Sequence, residues 1–162
     1  MTFPADRKLL EGREDSLRAA ALRVAGEAPC QLPWDRHTLL WLHGTTMIEA
    51  RCTAAGEIAL RAFLVIGPVL QRGLEAELAR LSSGLDVGRL ECDEDGDVAL
   101  THTLGPALDE NGLHDELQAF CCVADGLDDL LCRRFGGYRS VDHFERTVAS
   151  ILGASFPDDP PN

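Results

Sequence analysis

The sequence predicts an α+β domain of two layers, in which helices pack against an antiparallel sheet of five strands. Three observations predict it. Apolar and polar residues alternate with a period of two over 46–53 and again over 57–66, as in strands with one solvated face. An Asp-Gly pair at 95–96 separates two further strand-like segments, and apolar residues recur every three or four positions over 111–135. The expected order is α-β-β-β-α-β-β-α, with a short additional helix at the C-terminal end.

The composition is that of an ordinary folded protein with a strong negative charge. Of its 162 residues, 45% are apolar and 26% are charged, and the net charge is −12. These values are typical of a globular chain of domain size. We expect a single domain over residues 1–153 and a disordered tail over 154–162. The negative charge opposes binding to nucleic acid and to anionic membranes, since both would repel it.

The sequence also predicts a cytoplasmic location. The longest apolar run, residues 62–70, is interrupted by Gly67 and Pro68 and is far shorter than the ~20 residues that span a bilayer. The first residues lack the apolar stretch of a secretory signal peptide. In a cytoplasmic protein we expect the six cysteines to be free thiols that fill apolar positions.

The first half of the chain predicts one helix followed by three strands. Residues 6–26 form the helix, and 27–36 form a connector that contains two prolines. Residues 38–43 are almost wholly apolar, which predicts a strand buried on both faces. Short glycine-containing links join this strand to the two alternating segments, so the three strands should form an antiparallel meander. The apolar face of the helix consists of Leu10, Leu17, Ala20, Ala21 and Val24.

A second helix is predicted over residues 69–82. Its apolar residues fall on a single stripe, with spacings of four, four and three: Leu70, Leu74, Leu78 and Leu81. Burial of each leucine is worth about 1.5–3 kcal/mol, so the stripe should be covered by something. The sheet is one cover and a second copy of the protein is the other. We assign the stripe to the interface of a homodimer.

The second half predicts a hairpin and two more helices. Strands over 87–93 and 97–104 meet at the Asp-Gly pair, which favours a type I′ turn with positive φ at both central residues. The long helix should begin at a cap, either Asp109 or Asn111, and a short helix over 141–152 should follow it. The apolar seam of the long helix consists of Leu113, Leu117, Phe120, Ala124, Leu127 and Leu131.

Metal and catalytic motifs are incomplete in this sequence. An EF-hand calcium loop starting at Asp93 would need Gly at its sixth position and Glu at its twelfth, where this chain has Val98 and Leu104. Zinc-ligand spacings, phosphate-binding glycine loops and the serine-hydrolase elbow are absent from the sequence. We expect no metal, no cofactor, no catalytic residue and no enzymatic activity. A Cys–His pair that only the fold brings together stays open as a less favoured alternative.

Two tryptophans and a methionine are the candidate contacts for a peptide. Trp34 stands beside two prolines, a setting suited to a peptide groove, whereas Trp41 and Met47 lie in predicted strands. A place in the core or at its rim is the alternative for both tryptophans.

A strand that contains Gly88-Arg89-Leu90 is followed by a hairpin with Asp93, Asp95-Gly96 and Val98 and then by the long helix. These residues resemble the YbjN-like pattern, and the order of elements resembles that of the type III secretion chaperones and the YbjN-like proteins. The resemblance covers residues 5–137 and ends with the long helix. YbjN-like proteins often have asparagines where this chain has Ser82-Ser83-Gly84, and the extension after Gly137 lies outside their usual core.

This resemblance implies a two-layer α+β domain, often dimeric, that holds an extended segment of another protein in the cytosol. It implies no catalytic residues. The expected partner is a protein or peptide client, bound through its apolar side chains and through strand addition at a sheet edge. A YbjN-like regulatory or sensory domain without chaperone activity is the alternative from a different functional class.

Overall fold

The fold is a single antiparallel sheet with helices on its surfaces, as a computed structural model describes it for residues 4–67 and 73–151. The tail predicted over 154–162 lies outside the described residues, and the single-domain boundary stays a prediction. Side chains are described from residue 10 onward. Within these ranges the helices are Pro4–Ala25 (α1), Leu74–Ser82 (α2), Glu110–Phe135 (α3) and Ser140–Ile151 (α4). The strands there are Cys30–Leu32 (β1), Asp35–His43 (β2), Thr46–Cys52 (β3), Ile58–Val65 (β4), Arg89–Cys92 (β5) and Val98–Leu104 (β6).

The sheet has six strands in the described chain, so the prediction of five strands was wrong. The strand order is β1-β2-β3-β4-β6-β5, and all neighbours are antiparallel. The additional strand, β1, lies in the segment that the sequence predicted as a connector. Its three residues are too few to show alternation, and Pro29 and Pro33 flank them. Its strand conformation comes from pairing with β2, where Cys30 lies opposite Leu40.

Strand β2 is not buried on both faces, which corrects the sequence prediction. Leu39 and Trp41 point into the core and are 3% and 4% exposed, whereas Leu42 on the other face is 39% exposed. The apolar run therefore marks an ordinary strand with one covered face and a partly apolar outer face. The predicted meander is confirmed, because β2 pairs with β3 and β3 pairs with β4.

Helices α1 and α3 cover the inner face of the sheet. The predicted apolar faces of both helices enter one core, in which Leu17 is 1% exposed and Leu113, Leu117 and Phe120 are fully buried. The side chain of Asp109 accepts a hydrogen bond from the Gly112 N–H and caps α3, as predicted.

Arg13 fastens α1 to the loops at the end of this layer. Its guanidinium donates to the carbonyl oxygens of Gly56, Gly105 and Leu108, at 3.3, 2.8 and 2.7 Å. A single arginine thus joins the first helix to segments more than forty residues away along the chain.

The hairpin between β5 and β6 is present, but its turn is not of type I′. Gly96 has φ of 88°, whereas no residue other than glycine in the described chain has positive φ. The Gly96 N–H donates to the Asp93 carbonyl, and the Asp93 N–H donates to the Asp97 carbonyl. This is the three-residue connection in which a type I turn precedes a left-handed glycine bulge. The Asp93 carboxylate stabilises it by accepting from the N–H groups of Asp95 and Asp97.

Helix α2 packs against the edge strand β5. The helix begins at Leu74, and the earlier part of the prediction, including Leu70, lies outside the described residues. Leu74 and Leu78 are buried in the core of the single chain. The Leu90 N–H on β5 donates to the Ser82 hydroxyl at 2.7 Å, so the helix also satisfies part of the strand edge.

Helix α4 departs from the predicted two-layer arrangement. It contacts β3 and β4 and lies beside Met47 and Phe63, which alternate along their strands with the buried Ile48 and Ala62. It therefore lies over the outer face of the sheet, opposite α1 and α3. One part of the sheet is consequently covered on both sides.

Candidate functional site

The turn between β2 and β3 is held to α3 by two aspartates. Asp128 is 1% exposed and accepts hydrogen bonds from the hydroxyls of Thr45 and Thr46 at 2.6 and 2.9 Å. Asp125 accepts from the Thr45 N–H at 3.2 Å. These bonds satisfy a buried carboxylate, which would otherwise be costly to bury. They also fix the end of the sheet on which α4 rests, since the Thr45 carbonyl accepts from the Val141 N–H.

The start of α4 is anchored to the sheet at several points. Ile66 and Tyr138 exchange backbone hydrogen bonds in an isolated antiparallel bridge. The Ser140 hydroxyl donates to the Phe63 carbonyl. Arg139 forms ion pairs with Asp142 in α4 and with Asp129 in α3. The N-terminal end of α4 is thus fixed over strand β4.

Between α4 and the sheet lies an apolar depression, which we call the outer-face hollow. Its volume is about 300 Å³. Phe144 forms one wall and is 59% exposed, and Met47 and Phe63 form the floor and are partly buried. Methionine is flexible and polarizable, so it adapts well to varied apolar side chains. The hollow is lined by Met47, Phe63, Ile66, Ser140, His143, Phe144 and Thr147.

Apolar residues continue along α4 beyond the hollow. Val141, Phe144, Val148 and Ile151 have helical spacings of three, four and three, and we call them the α4 stripe. Val148 and Ile151 are 38% and 79% exposed. The described chain therefore leaves most of this apolar surface open to solvent. The helix was predicted from the sequence, but the stripe was not, although its spacing is visible there.

The three predicted peptide contacts lie in three different surroundings. Trp34 is 82% exposed in the turn between β1 and β2, beside an open depression of about 830 Å³ that Glu14 and His37 also line. Trp41 is buried in the core, which is the alternative that the sequence left open. Met47 belongs to the outer-face hollow. The structure therefore does not assemble these residues into one groove.

The leucine stripe predicted as a dimer interface is largely used within the chain. Leu74 and Leu78 are 5% and 2% exposed without any second copy, and Leu81 is partly buried against the same core. The sheet, which was the alternative cover, therefore accounts for these two leucines through its edge strand β5. Burial inside the chain removes the reason for assigning them to an interface between copies.

The open part of the outer face is polar. A shallow cavity of about 750 Å³ lies there among the arginines of β3, β4 and β5. Arg61 forms an ion pair with Asp93, and Arg89 forms one with Glu91 at 2.5 Å. Intrachain carboxylates already neutralise these charges, so the cavity has no concentrated positive charge for an anion.

The buried thiols do not resemble an activated nucleophile. Burial raises the pKa of Cys121 to about 12 and those of Cys52 and Cys132 to about 11. A thiol that stays protonated at neutral pH is a weak nucleophile. Cys30 and Cys122 are exposed. In residues 4–67 and 73–151, no three His, Cys, Asp or Glu side chains converge as metal ligands.

Comparison with known proteins identifies the family. The sequence model of TY-Chap1, described as "T3SS (YopN, CesT) and YbjN peptide-binding chaperone 1", matches residues 40–143. The chain belongs to this family. The match spans the strands from β2 onward, helices α2 and α3, and the start of α4, and it confirms the resemblance inferred from the sequence.

Solved structures show the same fold at low sequence identity. The ExsC–ExsE complex contains a chain that is 19% identical, with a TM-score of 0.59, and the match covers 75% of this TY-Chap1 protein and 94% of that chain. The HopA1–SchA chaperone–effector complex gives 14% identity, a TM-score of 0.57, and coverages of 80% and 99%. No curated protein matches the sequence. No helix in the described part of the chain is long and apolar enough to cross a membrane.

Proposed function

We propose that this TY-Chap1 protein is a non-enzymatic chaperone or adaptor that binds an extended segment of a partner protein. Membership of a family of peptide-binding chaperones carries the proposal. The fold supports it, because two similar structures are of complexes and one of these is a chaperone–effector complex. The exposed apolar residues support it as well, since large apolar groups left open on a folded surface commonly mark interaction sites.

The proposed mechanism is burial of client side chains in surface depressions. Each large apolar side chain buried contributes about 1.5–3 kcal/mol, so three or four anchors contribute roughly 5–12 kcal/mol toward the cost of ordering the segment. Met47 in the outer-face hollow and the exposed Trp34 are the proposed contacts from the original prediction. Strand β1 is paired on one side with β2, and its other side is an edge to which an extended segment can add.

The proposal includes a homodimer in the cytoplasm. Because Leu74 and Leu78 are buried within the chain, the interface would use the partly exposed Leu81 and the adjoining edge strand β5. Light scattering distinguishes a particle of 17.6 kDa from one of twice that mass. A monomer at all concentrations tested would remove the homodimer from the proposal and leave the chaperone activity untouched.

A capture experiment in two stages tests the function. The tagged protein is recovered from its native cytosol, and partners are identified by mass spectrometry. Overlapping synthetic peptides that tile the main partner are then titrated against the purified protein by fluorescence anisotropy. Saturable binding of one contiguous segment at equal stoichiometry supports the chaperone proposal. Recovery of the protein alone, or binding only of the folded partner and of none of its peptides, contradicts it and favours a regulatory domain.

A further inference from the structure

The outer-face hollow and the α4 stripe form one continuous apolar surface that the described chain leaves uncovered. Phe144 belongs to both, because it forms a wall of the hollow and is a member of the stripe. Val148 lies one helical turn further on, and Ile151 follows at the end of the helix. Packing within the chain does not account for these apolar side chains, because Ser140 is the only buried residue of α4 among those described.

The size of this surface argues against a second copy as its occupant. Phe144, Val148 and Ile151 expose together about 300 Å² of apolar area, if a side chain of this class contributes 150–250 Å² when fully exposed. A stable dimer buries roughly 800 Å² on each partner. The apolar share of such an interface alone, roughly 450 Å² or more, exceeds the apolar area that these three side chains expose.

The charges next to the surface favour a basic occupant. Glu49 lies two residues from Met47 on the same face of β3, and Glu145 lies beside Phe144 on α4. Neither carboxylate forms an ion pair within the described residues, whereas the neighbouring Arg139 is paired with Asp142. Arg61, which lies opposite Glu49 in the register of β3 and β4, is itself paired with Asp93. Two carboxylates close to the hollow, although not in its lining, are therefore available to pair with lysine or arginine.

We propose that this surface is the docking site for a basic amphipathic segment of the client. One apolar side chain of the segment fills the outer-face hollow, a second lies along the α4 stripe, and flanking lysines or arginines pair with Glu49 and Glu145. A volume of about 300 Å³ accommodates one large side chain and part of a second. The proposal rests on the proposed chaperone function and names the chemistry of its client.

The test uses synthetic peptides with defined patterns. The probe is a fluorescein-labelled amphipathic peptide of leucine and lysine. Two matched peptides carry glutamate in place of every lysine, or serine in place of every leucine. We expect anisotropy titration to show saturable binding of the first peptide and at least about tenfold weaker binding of the other two, because each lacks one of the two required features.

Protein variants then locate the site. Phe144→Asp and Val148→Asp should each weaken binding of the leucine–lysine peptide by about tenfold or more. Leu130→Asp is the matched control, because Leu130 is 51% exposed on α3 and does not line the hollow. Circular dichroism confirms that each variant is folded. Glu49→Gln combined with Glu145→Gln should weaken binding and reduce its salt dependence, a result that loss of packing alone would not produce.

Four outcomes overturn the proposal, and each leaves the chaperone function to be judged by the captured client. Equal binding by wild type, Phe144→Asp and Leu130→Asp places the peptide elsewhere on the chain. Equal binding of the lysine and glutamate peptides removes the charge preference. A smaller particle mass for Phe144→Asp than for wild type in light scattering makes the occupant a second copy. If a client peptide binds while none of the synthetic peptides does, the docking site is wrong and the proposed function stands.

Discussion

Gly44 occupies a position where the backbone and a neighbouring side chain both exclude any larger residue. It stands between β2 and β3 with φ of +57°, in the left-handed region. A Cβ added there would overlap Asp125, lying 2.6 Å from its Cγ and 2.9 Å from Oδ2. The same carboxylate accepts the hydrogen bond from the Thr45 N–H. Gly44→Ala therefore affects the turn in two separable ways.

The expected loss of stability is about 2–3 kcal/mol. Placing alanine in the left-handed region costs about 1–2 kcal/mol. Asp125 is exposed, so its side chain can rotate away from the new methyl group, but it then gives up its bond to Thr45. That bond is long at 3.2 Å, and its loss adds about 1 kcal/mol. For a chain of this length, the sum corresponds to a fall in Tm of roughly 5–10 °C.

Thermal and urea unfolding of four proteins separate the two contributions. Asp125→Ala alone should cost about 1 kcal/mol, and the double variant should lose about 1 kcal/mol less than the sum of the single variants. Gly126→Ala is the matched control, because a Cβ there meets nothing within 4 Å, and it should raise stability by about 0.5–1 kcal/mol. The reasoning is refuted if Gly44→Ala is as stable as wild type. Strict additivity in the double variant refutes the part that concerns Asp125.

Two further predictions concern pH and thiol reactivity. Hydrogen bonding with Arg80 lowers the pKa of Glu77 from 4.5 to about 2. Partial desolvation opposes this shift, and the charge of Arg134 adds to it. Ionised Glu77 thus stabilises the folded state above pH 4.5, and this contribution disappears as the pH falls toward 2. Glu77→Gln should lower the Tm at neutral pH, and the difference in Tm between the variant and wild type should vanish in acid. A difference in Tm that is constant with pH contradicts the assignment. Iodoacetamide at neutral pH should modify Cys30 and Cys122 first, as peptide mapping would show, because these two thiols are exposed. Equally fast labelling of a buried thiol would revive the nucleophile alternative.

Periodic apolar patterns predicted the regular elements well. The seam of α3 was assigned from spacing alone, and Leu113, Leu117, Phe120, Ala124 and Leu131 are all fully buried. A long helix with one covered face repeats its pattern over several turns, so the signal does not depend on knowing the neighbours. The meander of β2, β3 and β4 was predicted for the same reason, since its alternation extends over two strands.

Features that depend on a distant partner were not predicted. Strand β1 exists because β2 pairs with it, and its three residues contain no pattern of their own. Asp128 lies in a polar stretch of the sequence, which favours a place on the surface. In the structure its carboxylate is buried and accepts hydrogen bonds from two threonines at the β2–β3 end of the sheet. Leu74 was predicted to lie in a dimer interface because its spacing indicates burial. The spacing does not identify the surface that covers it. The exposure of Phe144 could not be predicted either, because it depends on where α4 lies relative to the sheet.

The packing of the first helix against the third has a consequence for synthesis. Helix α1 ends at Ala25, whereas α3, which covers much of its apolar face, ends at Phe135. At translation rates of about 5–20 residues per second, the ribosome needs roughly 5–20 s to make the intervening chain. For most of that interval Leu17 and its neighbours have no α3 to pack against, and Arg13 lacks the carbonyls of Gly105 and Leu108. The first helix to be synthesised is therefore among the last to be fully buried, and its apolar side stays open to other nascent segments until the C-terminal third emerges.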